Sequence, residues 1–160
     1  MRTFNSLAKF SDHLNKMILK KDAYQMKWGK FCAKLLEKES KDKIGHLQDG
    51  WAPLADSTKK DKERLGYVFN ADYNPLYREG DLRDSIRGVY NLTLHQILLG
   101  SFSEIMIYQA LGTKYIPPRD PIGTTMAQAK PEIAIYLGQM FIQWLLLKPF
   151  MPRRATYGNI

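Results

Sequence analysis

One cysteine, Cys32, stands in the whole chain, so no intrachain disulfide can form and a reducing compartment is the easier setting. Its neighbours Phe31, Leu35 and Leu36 are apolar, which reads as a packed, inert thiol. Long apolar runs are missing too. The greasiest segment, Met140 to Leu147, is broken by Gln143 and is too short to cross a bilayer, so no membrane is expected as a partner. The first residues include Phe4, Leu7 and Phe10 but also Asp12 and many lysines, with no apolar h-region, which argues against a secretory signal. Histidine is scarce: His13, His46 and His95 lie far apart and share no ligand spacing with each other or with Cys32. None of the patterns GxSxG, HExxH, GxxxxGK[ST] or GxGxxG occurs. Glu79, Asp81 and Asp84 come nearest to an acid–base set, but acidic residues around a helix start serve capping and the helix dipole far more often. The chain reads as a non-enzyme with no catalytic residue, no metal and no cofactor. No buried ligand pocket ringed by ionisable groups from distant segments is expected.

What is present is enough for one domain. At 160 residues and 18.5 kDa the chain can bury a real core, and 44% apolar with 25% charged residues is ordinary for a globular protein. The net charge is +8, and the excess sits early: fifteen Lys and Arg against nine Asp and Glu before Leu65, nine against seven after it. Such a field favours acidic partners, whether nucleic acid, a membrane surface or an acidic protein face, and is equally the mark of a solvated lysine-rich helix.

Apolar residues at three- and four-residue steps predict helix over the first forty-odd positions: Phe4, Leu7, Phe10, Leu14 and Met17 or Ile18, then Tyr24, Trp28, Phe31 and Leu35. Asp22 offers a cap for a second helix, so one helix or two stays open, and Gly45 ends the run. Lys27, Lys34, Lys38 and Lys41 fall along one flank of it. Trp51-Ala52-Pro53-Leu54 reads as an extended apolar clip folded onto the core. Asp56 or Ser57 is placed to cap a short charged helix through Arg64, closed by Gly66.

Pro75 to Ile86 reads as an ordered turn opening onto a short helix. Pro75 biases Asn74 toward extended backbone, Gly80 allows a tight bend, and Asp81 caps with Asp84 in the capping-box position. Ser85 to Gly100 predicts two antiparallel strands with a turn near Asn91 to Gln96. Ser101 and Glu104 have capping-box spacing for a helix from Phe102 to Leu111 that Gly112 stops. Lys114 to Arg119 reads as extended, polyproline-like chain. Gly123 to Ala129 reads as a small-residue linker, and Pro131 as the first turn of a last helix that buries Ile133, Leu137, Met140 or Phe141, and Trp144. The expected fold is α+β, a small antiparallel β-sheet packed against a long N-terminal helical segment and a C-terminal helix. It forms a single domain over 1–148 with a basic tail over 149–160.

Four separated pieces, in order, resemble one family. Trp51-Ala52-Pro53-Leu54 with Ser57-Thr58 and a downstream lysine cluster resembles its W-x-P-L … T … K segment. Pro75-Leu76 with Gly80-Asp81-Leu82-Arg83-Asp84-Ser85-Ile86 resembles P-L-x-x-T-G-x-L-R-x-S-I. Tyr108, Gly112-Thr113 and Ile116-Pro117-Pro118-Arg119 resemble Y … x-x-G-T … I-P-x-R-P-F-L, and a terminal amphipathic helix follows. The family is the tailed-bacteriophage virion-morphogenesis proteins, also called tail-completion or neck proteins, of the Mu-like type. Glu79, Ala110-Leu111 and Asp120 to Gly123 depart from its pattern.

The resemblance implies a structural subunit of the virion neck, made in the host cytoplasm. It would join its own copies in a ring, read as six-fold, between the head connector or head-completion protein and the tail terminator or tail-tube protein. Candidate interface residues are Leu82, Arg83, Ile86, Gly112, Thr113, Pro117, Pro118 and Arg119, with Arg119 placed to pair with an acidic neighbour. Lys27, Lys34, Lys38 and Lys41 are candidates for non-specific contact with channel DNA. The alternative reading is a non-specific nucleic-acid-binding module built on the same lysines.

Overall fold

A single helix of 37 residues, α1 (Leu7–Lys43), answers the question of one helix or two. At 1.5 Å per residue it is about 55 Å long. Lys20-Lys21-Asp22 contains no glycine or proline and is exposed throughout, so nothing there stops the helix and Asp22 caps nothing. Ser6 caps the start, its Oγ accepting from the Lys9 N–H at 3.3 Å. Gly45, at φ 97°, turns the chain out of α1 and donates its N–H to the Pro75 carbonyl at 2.9 Å. The helix end and the Pro75 turn are thus tied together. The structure, a computed structural model, describes residues 3–153, so most of the predicted basic tail lies outside the described residues.

After α1 come α2 (Asp56–Arg64), α3 (Asp81–Asp84), β1 (Ile86–Asn91), β2 (Gln96–Ser101), α4 (Glu104–Leu111) and α5 (Pro121–Leu145). The fold is α+β: a two-stranded antiparallel sheet flanked by the long first helix and the last one. The hairpin closes through Leu92 to His95, and its register pairs Ile86 with Ser101 and Tyr90 with Ile97. Ile86 and Tyr90 point at α1 and are buried. Two glycines let the sheet approach so closely. A Cβ on Gly29 of α1 would lie 2.2 Å from the Tyr90 ring, and one on Gly88 of β1 would lie 2.2 Å from the Ala33 carbonyl oxygen. Ile44, Ile86 and Met106 form the core beside them, with Leu76, Tyr77, Leu82, Leu99 and Ile122 packed around.

Several predicted caps are displaced. Gly80, at φ 108°, is the N-cap of α3 and makes no side-chain cap bond, so Asp81 is inside the helix and does not cap it. Ala55 precedes α2, with Asp56 in its first turn. Ser101 ends β2 instead of opening a capping box: its Oγ lies 2.6 Å from the Ser85 Oγ and accepts from the Ser103 N–H at 3.1 Å. The helix therefore begins at Glu104, and Gly112 stops it at φ 74°.

The last helix starts ten residues before the predicted Pro131. Asp120 caps it, Oδ1 accepting from the N–H groups of Ile122 at 3.0 Å and Gly123 at 2.9 Å, and Pro121 takes the first helical position. The predicted linker is helical, and two of its small residues, Thr125 and Ala129, are buried on the side of the helix that packs against α1. Pro131 sits inside the helix at an exposed position, where the carbonyl it leaves without a donor meets water. Tyr136 and Met140 are buried, whereas Leu137 and Phe141 are exposed, a rotation of the predicted face. The end of α5 is fastened to α1 by long side chains. His13 Nε2 donates to the Leu145 carbonyl at 2.9 Å, Tyr24 Oη to the Lys148 carbonyl at 2.6 Å, and Trp144 Nε1 to the Met17 carbonyl at 2.8 Å. Two of these satisfy carbonyls at or just past the C-terminus of α5.

Candidate interaction cleft

The turn before α3 is strained and is held from inside. Tyr73, Asn74 and Leu76 have φ of 59°, 47° and 62°, left-handed conformations that cost a non-glycine residue about 1–2 kcal/mol each. Asn74 is therefore not extended, although Pro75 follows it. Its side chain bonds the Asn70 N–H and the Val68 carbonyl at 3.1 Å each, and this local network fixes the conformation. Lys62 reaches across from α2 and is only 4% exposed. Its Nζ donates to the carbonyls of Tyr73, Asn74 and Tyr77 at 2.7, 2.8 and 2.8 Å. Three acceptors saturate the three N–H bonds of an ammonium. Burial, with Arg78 as a second cause, pushes the Lys62 pKa down.

Arg119 is the second buried cation, at 5% exposure. Its Nε and Nη2 donate to the Ala52 carbonyl at 3.1 and 2.9 Å, and Nη2 also donates to the Pro53 carbonyl at 3.0 Å. Among the described residues no acidic side chain pairs with it; the carbonyls of the Trp51 to Leu54 clip take its charge. Burial lowers its pKa as well. Its backbone N–H donates to the Gln109 carbonyl at 2.6 Å, which anchors the segment to α4. Upstream, Thr113 and Ile116 close a tight turn with reciprocal backbone bonds at 2.8 and 3.3 Å, so only Pro117 to Arg119 runs straight.

Between these two anchored segments lies an open cleft of about 580 Å³. Leu54, Leu76, Leu82, Ile105, Ile116 and Pro117 form its apolar wall, and Lys62, Arg78, Glu79, Asp81 and Arg119 border it. It is open to solvent, and so differs from a buried pocket ringed by ionisable groups. Its chemistry is subdued. Both buried cations are held by carbonyls, Arg78 pairs with Asp61 at 3.4 Å, and Glu79 accepts from the Tyr67 hydroxyl at 3.2 Å, which raises the Tyr67 pKa. Apolar side chains form one wall and partnered polar groups the border, a mixture suited to recognition.

Of the predicted interface residues, Leu82, Pro117 and Arg119 meet at this cleft. Pro118 and Thr113 are exposed beside it, and the Thr113 Oγ1 accepts from the Ile116 N–H at 3.1 Å. Gly112 is structural, because a Cβ there would lie 2.9 Å from the Ile116 carbonyl oxygen. Arg83 points elsewhere and pairs with Asp42 at 3.7 Å. Ile86 is fully buried in the core and offers no surface. Lys62 was missed altogether. Its only sequence signal is a lysine on a short helix with no apolar face.

Lys34, Lys38 and Lys41 line a shallow depression with Arg83, Glu37 and Asp42, and Lys27 lies outside it. Lys27, Lys34 and Lys38 are exposed, whereas Lys41 is half-buried and bonded to Glu37 at 2.6 Å. Among the described residues no group of His, Cys, Asp and Glu is placed to hold a metal, and no helix is long and apolar enough to cross a membrane. No family model, no curated protein and no solved structure matches this chain.

Proposed function

We propose that this chain is a structural subunit of a tailed-bacteriophage neck, a tail-completion protein that forms a ring between the head connector and the tail. One observation carries the reading. The separated segments that resemble the neck family are built into a single construction: Arg119 of Ile116-Pro117-Pro118-Arg119 grips the carbonyls of Trp51-Ala52-Pro53-Leu54, and both border a cleft whose far wall is Leu76 to Leu82. Residues shared for docking geometry are expected to converge in this way.

A second feature agrees with it. α4 and its flanks display Phe102 at 86%, Leu111 at 78% and Tyr115 at 85% exposure, with Ile105, Ile107 and Tyr108 more than half exposed. An apolar surface of this extent marks an interaction site, and in a ring each subunit buries it on its neighbour. In this reading the cleft and the α4 face bind protein, the virion neck is the destination, and no bond-making is assigned. The test is deletion of the gene from the phage that carries it. DNA-filled heads and free tails that fail to join are the expected result, with joining restored by the protein in trans. Normal joined particles without the protein would end the proposal.

A further inference from the structure

We infer that the free edge of β2 is a self-pairing surface, through which two copies of this chain join β2 to β2, antiparallel, into one four-stranded sheet. The inference does not rest on the neck reading. The Phe102 N–H donates to the Ser85 carbonyl at 3.2 Å, which makes Ser85 and Phe102 a hydrogen-bonded pair. Bonded and non-bonded pairs alternate along an antiparallel ladder, so the backbone groups of Gly88 on β1, and of Ile97, Leu99 and Ser101 on β2, point away from the partner strand. On β1 this edge is closed: the Gly88 N–H donates to Glu37 Oε2 of α1 at 3.0 Å. On β2 it is open. The backbone groups of Ile97, Leu99 and Ser101 have no hydrogen-bond partner among the described residues, and no residue of the strand is buried.

The composition of the edge selects the occupant. Natural edge strands are guarded by lysine, proline or a bulge, and Gln96–Ser101 has none of these. In a chain of net charge +8, it is an uncharged strip. A nucleic acid or an acidic protein finds no cation along it, while a second copy brings the same uncharged strip and no repulsion. The pattern is also self-complementary. With Leu99 opposite Leu99 of the second copy, Ile97 faces Ser101 of the second copy and Ser101 faces its Ile97, and every outward N–H meets a carbonyl. On the outer face Leu98 then lies beside Gly100 of the second copy, where a Cβ would meet nothing within 4 Å, and exposed Val89 and Phe102 flank the seam. α1 packs more extensively on β1 than on β2, which leaves the joining side clear. The contact is two-fold and closes at two copies, so it uses a different surface from a head-to-tail ring.

The experiment is sedimentation equilibrium on the purified full chain across a wide concentration range, with amide exchange followed by NMR at each concentration. A dimer is expected, with the Ile97 and Leu99 amides gaining protection as it forms and the Leu98 amide, already bonded to β1, protected throughout. Gly100→Lys, placed in open space on non-left-handed backbone, should give a monomer with an unchanged circular dichroism spectrum, and Leu98→Asp should do the same. A chain that stays monomeric overturns the inference, and so does a dimer whose Leu99 amide exchanges freely, as one formed through the α4 face would. The exchange result decides even if a variant misfolds.

Discussion

Arg119 grips the Ala52 carbonyl with two nitrogens, at 3.1 and 2.9 Å, across 67 positions of sequence. The pair joins the two least regular segments of the chain, so the cleft wall depends on a bond that neither segment makes alone. A guanidinium suits this place because its planar fork can serve two adjacent carbonyls at once.

Arg119→Ala should therefore lower the unfolding free energy by about 2–4 kcal/mol, because it leaves carbonyls without a donor as well as removing side-chain packing. Arg119→Lys should cost less, about 1–2 kcal/mol, since an ammonium can keep one carbonyl but not the fork. Lys62→Met, similar in shape and without donors, should match the alanine variant because three carbonyls of a left-handed turn lose their tie. Urea unfolding measures all three. An Arg119→Ala protein within about 0.5 kcal/mol of the parent would show that the bond contributes little.

Glycine substitutions should split by place. Gly88→Ala and Gly29→Ala set a methyl within 2.2 Å of the Ala33 carbonyl oxygen and of the Tyr90 ring, so the hairpin must lift off α1. Each should cost about 2 kcal/mol or more. Gly138, inside α5 with nothing within 4 Å of its Cβ position, should respond oppositely: Gly138→Ala is expected to gain about 0.5–1 kcal/mol. Thermal melts of the three variants would read the sign directly.

Acid should loosen the junction between α1 and the hairpin. Glu37 accepts from Lys41 Nζ at 2.6 Å and from the Gly88 N–H at 3.0 Å, and these bonds hold its pKa below the ordinary 4.5. A depressed carboxyl contributes stability that is present above its unfolded value and lost as pH falls through the folded one. Stability should thus fall with acid below about pH 4.5 with a Glu37 component, and Glu37→Gln should flatten that limb while costing about 1–2 kcal/mol at neutral pH. Parallel limbs for the two proteins in pH-dependent urea melts would remove Glu37 from the account.

DNA binding has its own test. If the lysine flank meets DNA, Lys27→Glu, Lys34→Glu and Lys38→Glu together weaken duplex binding and reduce the slope of log K against log salt by about 0.9 for each phosphate no longer neutralised. Titration by fluorescence anisotropy at several salt concentrations measures the slope. An unchanged slope would show that the stripe faces solvent and not a channel.

Cys32 should stay silent in the native protein. It is fully buried, and burial together with the Glu132 charge pushes the thiol up to about 12. A thiol reagent should react only after unfolding. Stoichiometric labelling of the folded chain would contradict the packing around it.

Element types and many ends were legible because their causes are local. Gly45, Gly66 and Gly112 all follow helices in left-handed backbone, as their spacing predicts, and the hairpin folds where β-favouring residues flank the turn from Leu92 to His95. The start of α5 was not legible. Gly123, Thr124 and Thr125 look like a linker until α1 is present to bury Thr125, and only then does the Asp120 cap prevail over their weak propensity. Of the face read from the sequence, Met140 is buried and Leu137 is not, for a related reason: periodicity marks an apolar stripe, and the crossing of two helices decides which edge of it meets a neighbour.

The candidate cleft divides in the same way. An α+β chain with a long N-terminal helical segment, a hairpin within Ser85 to Gly100 and a stiff Pro117-Pro118 segment could be read from the residues alone, since each follows from positions close to one another. Which cations go inside is settled by folding alone. Lys62 and Arg119 look like any other basic residue until folding gathers carbonyls from Tyr73, Asn74 and Tyr77 around one, and from Ala52 and Pro53 around the other. A charge can leave water only where acceptors converge on it, and convergence is a property of the folded chain.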